Sequence, residues 1–258
     1  MMASLEMDTR YNSSSAELEE IKRLLKRGDF DGARLMADKT GAAFAASGNK
    51  LGQVWCRLYH ADIAFGLGAF SLAAEESLKC LASFTELGSR EGMGWASRNI
   101  QRCLCLLGEL DKSVDYGHKA LEIFDTLKDP KGASVAMRWL GVCHQQLGVL
   151  ETARAETIGA MRHFFYAGDT ARILECIHDL SFLEIAAGRP ADALRLQKYI
   201  VRHTQSPRWT VLNLLSSLGR LEAQGLGTAD IEAPLDVLVP GLLSGKIPDF
   251  DPNSHINT

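Results

Sequence analysis

A recurrence every 40 residues constrains this chain more than any other feature. The run Arg98-Asn99-Ile100-Gln101-Arg102-Cys103-Leu104-Cys105-Leu106-Leu107-Gly108-Glu109-Leu110 is matched 40 positions on by Arg138-Trp139-Leu140-Gly141-Val142-Cys143-His144-Gln145-Gln146-Leu147-Gly148-Val149-Leu150. An earlier copy begins Leu58-Tyr59-His60-Ala61 and closes Leu67-Gly68-Ala69-Phe70. Glycine recurs at Gly28, Gly68, Gly108, Gly148 and Gly188, and glycine at a helix end permits the left-handed backbone that a tight reversal needs. Small residues share a later phase at Ala33, Ala73, Ser113, Ala153 and Ala193, where they let a second helix approach the first closely. Phe44, Phe84, Phe124 and Phe164 follow at the same spacing and read as apolar plugs between neighbouring repeats, each worth roughly 1.5–3 kcal/mol on burial. The breaks Gly48-Asn49, Gly88-Ser89, Asp129-Pro130 and Gly168-Asp169 end each second helix.

The pattern predicts an all-α array of helix-turn-helix repeats, five full ones and a degenerate sixth. First helices are expected over 14–28, 51–67, 91–107, 131–147 and 171–187, and second helices over 30–47, 70–87, 110–127, 150–167 and 190–204. Ser14 with Glu17 fits a capping box at the first of them. The pattern decays after Thr204. Gly225 and Gly227 straddle the expected turn, and Pro234 and Pro240 make the last helix short or broken. A degenerate end is what closes an array whose outer face has no neighbour. Three segments result: a flexible leader over 1–12, a repeat domain over 13–245, and a loosely held tail over 246–258.

Composition narrows the function classes. With 46% hydrophobic and 23% charged residues the chain is ordinary for a folded protein. A net charge of −4 gives no reason to expect a nucleic-acid partner, which needs a concentrated basic footprint. No apolar run approaches the ~18 residues of a membrane span, and the N-terminus lacks a secretory pattern, so a cytoplasmic protein without membrane contact is expected. The six cysteines include Cys103 and Cys143 one repeat apart, and Cys56 and Cys176 three repeats apart, as small buried side chains would be.

The phase of Leu140-Gly141, Gly148, Ala153 and Ala160, echoed by Ala61, Gly68, Ala73 and Cys80, resembles that of tetratricopeptide repeats. The 40-residue length is similar to the repeats of maltose-activator-like regulators, peptide-pheromone receptors and some polarity scaffolds. The resemblance covers about residues 11–230. It implies a right-handed solenoid whose first helices line a concave groove for a peptide or protein segment.

Carried over by phase, that groove would present Trp55, Tyr59, Asp62, Trp95, Arg98, Asn99, Arg102, Arg138, Gln145 and His178. Trp55 and Trp95 share a phase, as do Arg98 and Arg138, and neighbouring first helices lie roughly 10 Å apart. Arg98, Asn99, Arg102 and Arg138 resemble the carboxylate-clamping groups of peptide-binding members, since a guanidinium offers paired donors in a fixed fork. The alternative is that the arginines pair with neighbouring acids and the tryptophans pack between helices. An acidic or carboxylate-bearing segment is the sharper expectation for the ligand.

Catalytic readings are weaker. Glu175 and His178 form a single Glu-x-x-His pair, whereas helical di-iron sites need two and further carboxylates. No phosphate-cradling loop or nucleophile elbow occurs, and no cofactor or metal is expected. The main expectation is therefore a binding scaffold or adaptor. A ligand-sensing regulatory domain is the second reading, and an enzyme or enzyme subunit with a pocket in the groove the third. Exposed repeat ends leave open stacking into a homo-oligomer, and the acidic stretch Asp249-Phe250-Asp251-Pro252 could enter a groove.

Overall fold

The computed structural model describes residues 16–206, 208–226 and 234–244. The expected leader, the Ser14 cap and the acidic tail lie outside them. The described residues form twelve helices and no strand. The first helices of the five repeats are α1 (Ala16–Arg27), α3 (Lys50–Gly66), α5 (Arg90–Leu106), α7 (Pro130–Gln146) and α9 (Thr170–Ala186). Their partners are α2 (Phe30–Ala46), α4 (Phe70–Glu86), α6 (Leu110–Leu127), α8 (Leu150–Tyr166) and α10 (Pro190–Arg202). The last two are α11 (Arg208–Glu222) and α12 (Leu235–Leu243). This is a helical-repeat solenoid, with boundaries within a few residues of those the period predicts.

Local chemistry sets each boundary. Asn49, Ser89, Asp129 and Asp169 precede α3, α5, α7 and α9, and their side chains accept from the backbone N–H three residues on, at 2.9, 3.3, 3.0 and 3.3 Å. One otherwise orphaned donor is satisfied at each start. The five in-phase glycines all take φ between 73° and 82°, and the N–H of the following residue reaches back to close the helix, as Ala69 does to the Ala64 carbonyl at 2.9 Å. Gly48, Gly88 and Gly168 do the same after the second helices, but the residue in that phase after α6 is Lys128, with φ 54°.

The chain forms two compact units, Met1–Ala136 and Met137–Thr258, the division falling within α7. In the first, successive hairpins are locked by an aromatic wedge. The Phe84 ring lies 5.0 Å from that of Trp55, and a Cβ added to Gly92 would come 2.2 Å from it. Phe124 repeats the arrangement with Trp95 at 5.1 Å and Gly132 at 2.4 Å, and Phe44 covers Gly52 at 2.5 Å. These three glycines form a second in-phase series whose role is to let the ring reach the helix backbone. In the second unit Arg172 stands at that phase, and its guanidinium lies 6.0 Å from the Phe164 ring.

The second unit also contains the irregular end. There α11 packs on α10, whereas α12 packs on α8. It is nine residues long, carries Pro240 inside, and buries Leu238, Val239 and Leu242.

All six cysteines are buried free thiols. Burial pushes Cys56 and Cys103 up to about 11 and Cys80 up to about 12, so they pack as small apolar groups.

Lys128 yields a direct test. A left-handed backbone costs a non-glycine residue roughly 1–2 kcal/mol. Lys128→Gly should therefore raise stability by about 1 kcal/mol in urea unfolding, and Gly88→Lys should lower it by a similar amount.

Candidate functional site

In the first compact unit α1 touches α3, and α3 touches α5. The residues expected to face a ligand lie along these contacts, and most are covered. Trp55, Tyr59, Arg98 and Asn99 are buried, while Asp62, Trp95 and Arg102 are half-buried. Trp55 and Trp95 each sit against a phenylalanine of their own hairpin, as described above, so they pack between helices. Their shared phase reflects the wedge.

The polar residues converge. Asp62 of α3 accepts from Asn99 Nδ2 at 2.7 Å and from Arg102 Nη2, both on α5. The Arg102 guanidinium stacks 3.8 Å from the Phe65 ring centre, and that of Arg98 lies 4.9 Å from the Trp95 ring. Asp62, Phe65, Asn99 and Arg102 thus form one constellation bridging adjacent first helices. The pair is not fully enclosed: the Arg102 and Asp62 side chains keep 13% and 17% of their exposure. Tyr59 lies one turn before on α3. Burial, with the Asp62 carboxylate nearby, pushes its phenol up.

Arg138 has a different setting in the second unit. Its Nε donates to Asp179 Oδ2 at 2.6 Å, its Nη2 to Asp179 Oδ1 at 3.2 Å, and its Nη1 to Glu175 Oε2 at 2.7 Å. The Arg138 side chain is only 4% exposed. Two carboxylates of α9 therefore hold a guanidinium of α7, and the group braces two first helices. His178 Nδ1 lies 3.1 Å from Asp179 Oδ1, with its ring 5.0 Å from Phe182. Gln145 is half-buried on the last turn of α7. Arg98 and Arg138, paired by phase in the sequence, fall in different compact units.

Sequence reasoning placed Arg102, Asn99 and Asp62 on one surface but assigned them no mutual contact. The signal was available: Asp62 and Arg102 are one full repeat apart, so an acid and a base share a phase on adjacent first helices. Asp179 was likewise in phase with Asn99 but was not singled out as the partner of Arg138. Phe65, the platform under Arg102, shares its repeat phase with Gln145.

Among the described residues no three His, Cys, Asp or Glu side chains gather as a metal site, and Glu175 is engaged by Arg138 and Arg172. No helix among them is long and apolar enough to cross a membrane.

The fold is similar to that in the crystal structure of BtubC (BKLC) from P. vanneervenii. Identity is 17% over 84% of this chain and 85% of that chain, with a TM-score of 0.53, a likeness that shows the fold alone. No protein-family model matches the chain, and neither does any curated protein.

The Arg138 brace carries two predictions. Replacing Arg138 with alanine leaves Asp179 buried without its cation, so denaturant unfolding should show a loss of about 3–5 kcal/mol. Burial alone would raise the Asp179 carboxyl, but Arg138 and His178 hold it below the usual carboxylate range. Its contribution to stability is therefore complete above the unfolded-state value of about 3.9 and is lost as pH falls through the lower folded value. Acid titration followed by circular dichroism should show a stability loss below about pH 4 that is reduced in Asp179→Asn.

Proposed function

We propose that this chain is a non-enzymatic scaffold of tetratricopeptide type, holding a peptide or protein segment on the first-helix face of its first compact unit. The segment is acidic and Arg102 is its anchor, beside the buried Arg98 and Asn99 of the same helix. One observation carries this reading, the contrast between the two arginine sites. Arg138 makes three hydrogen bonds to two carboxylates and is enclosed. Arg102 meets one carboxylate through a single nitrogen and keeps part of its side chain exposed. A guanidinium has five N–H donors, so Arg102 can take a second carboxylate as Arg138 takes Glu175.

Several features support the choice of ligand. Arg98 lies one helical turn before Arg102 on α5, on the same side of the helix, so its charge adds to the local potential that favours an anion. The aromatic rings under both guanidinium groups fix their orientation, which lowers the entropy lost on binding. Asp62 sets the selectivity. It occupies part of Arg102 in the free chain, so an incoming carboxylate has to compete with it.

Selection of a random library of about ten-residue peptides on the immobilised full chain, followed by anisotropy titration, tests the reading. The recovered peptides should be enriched in Asp and Glu. Arg98→Ala/Arg102→Ala should weaken them about tenfold or more, a loss of at least 1.4 kcal/mol, and Asp62→Asn should strengthen them. Equal affinity for wild type and the double variant, with folding confirmed by circular dichroism, would remove the proposal.

A further inference from the structure

A second surface of the first unit departs from the repeat pattern. On α3, Arg57, His60 and Ala64, with Leu67 just past its end, follow one another at helical spacing, roughly 160° around the helix from Trp55, Tyr59 and Asp62. With Arg34 of α2, Ala69 before α4, and Leu72 and Glu76 of α4, they line a cleft of 420 Å³ over Ile63. The cleft lies between α2 and α4 with α3 as its floor, on the side away from the proposed peptide site.

Its chemistry is divided. Ile63, Ala64, Leu67 and Leu72 supply an apolar strip, and the two leucines are 55% and 52% exposed. Arg34 and Arg57 are exposed beside it. Arg57 donates to the Ser83 hydroxyl at 3.2 Å, which uses one of its five donors. His60 Nε2 lies 3.0 Å from Asp38, and Glu76 is answered by Lys79 at 2.8 Å. Among the described residues, the cleft's charges without a carboxylate opposite them are the two guanidinium groups.

The corresponding place one repeat on shows what a closed version looks like. Over α5 the positions of Arg57, His60 and Ala64 become Ser97, Ile100 and Leu104, and that of Arg34 becomes Ala74; all four are buried. Leu72 becomes Lys112. Over α3 two of the same positions carry guanidinium groups, Arg34 and Arg57, beside the exposed Leu67 and Leu72. Two cations beside such a strip fit an anion joined to a hydrocarbon chain: the guanidinium fork takes a carboxylate, and the leucines remove the chain from water at about 0.8 kcal/mol per CH₂. At about 30 Å³ per water-sized element, the volume admits roughly a dozen heavy atoms.

We propose that this cleft binds an aliphatic carboxylate, its head between Arg34 and Arg57 and its chain along Ile63, Ala64, Leu67 and Leu72. The site is independent of the peptide face.

Decanoate tests it, titrated below its micelle concentration into the full chain with ¹³C-labelled leucine methyls, alongside decanol and butyrate. Saturable shifts are expected at Leu67 and Leu72, with decanol and butyrate each at least about tenfold weaker. Arg34→Ala/Arg57→Ala should lose about tenfold, and Leu72→Lys, the residue found one repeat on, should abolish binding. Arg98→Ala/Arg102→Ala should leave it unchanged, which separates this site from the peptide reading. Absence of saturable shifts at these leucines, equal binding of decanol and decanoate, or unchanged affinity in Arg34→Ala/Arg57→Ala would overturn the proposal.

Discussion

A phenylalanine ring set against a glycine backbone keeps successive hairpins in register. Phe84 has Trp55 of its own hairpin on one side and Gly92 of the next on the other, and Phe124 stands in the same relation to Trp95 and Gly132. The ring reaches the helix backbone only because the facing residue has no Cβ; one at Gly92 would lie 2.2 Å from it. Each wedge fixes where the next first helix lies, and therefore which side chains of neighbouring first helices meet. Asp62 can reach Asn99 and Arg102 only because α3 and α5 are set side by side.

Neighbouring first helices are joined by two kinds of polar bridge, one in each compact unit. Around Arg138 the bridge is complete, with two carboxylates satisfying one guanidinium away from water. Such a group resists removal, because the carboxylates left behind would stay buried. Around Arg102 the bridge is partial, with one carboxylate, an aromatic platform and some remaining exposure. Two arginines of first helices, at different phases of the repeat, thus do different work, decided by how many acids the neighbouring first helix supplies.

The first unit presents different chemistry on opposite sides of α3. Toward α5 it carries the acid–amide–guanidinium set, and away from it the arginine-flanked aliphatic cleft. A helical repeat makes this division easy. Only the residues that close the wedge and the turn are needed for stacking, so the remaining helix faces are free to diverge from one repeat to the next. The change of Arg57, His60 and Arg34 into Ser97, Ile100 and Ala74 one repeat on is such a divergence.

Most of the fold was legible before any coordinates. In-phase glycines, small residues and phenylalanines each answer a local steric demand, and local demands leave a period. The helices, their turns and the decay after Thr204 followed from that period alone. The second glycine series, Gly52, Gly92 and Gly132, was equally periodic, yet its purpose shows only when the ring above it is seen. The candidate site was legible in position but not in state. That Arg102, Asn99 and Asp62 share a face is a property of helix phase. That Trp55 is covered, that Arg138 is already held by Asp179 and Glu175, and that Arg102 keeps part of its side chain exposed depend on distances between residues about 40 positions apart. Sequence therefore determined which side chains are placed where along each hairpin, because helix geometry is local. Tertiary structure decided which of them are already spent on one another, because that depends on how closely neighbouring hairpins approach.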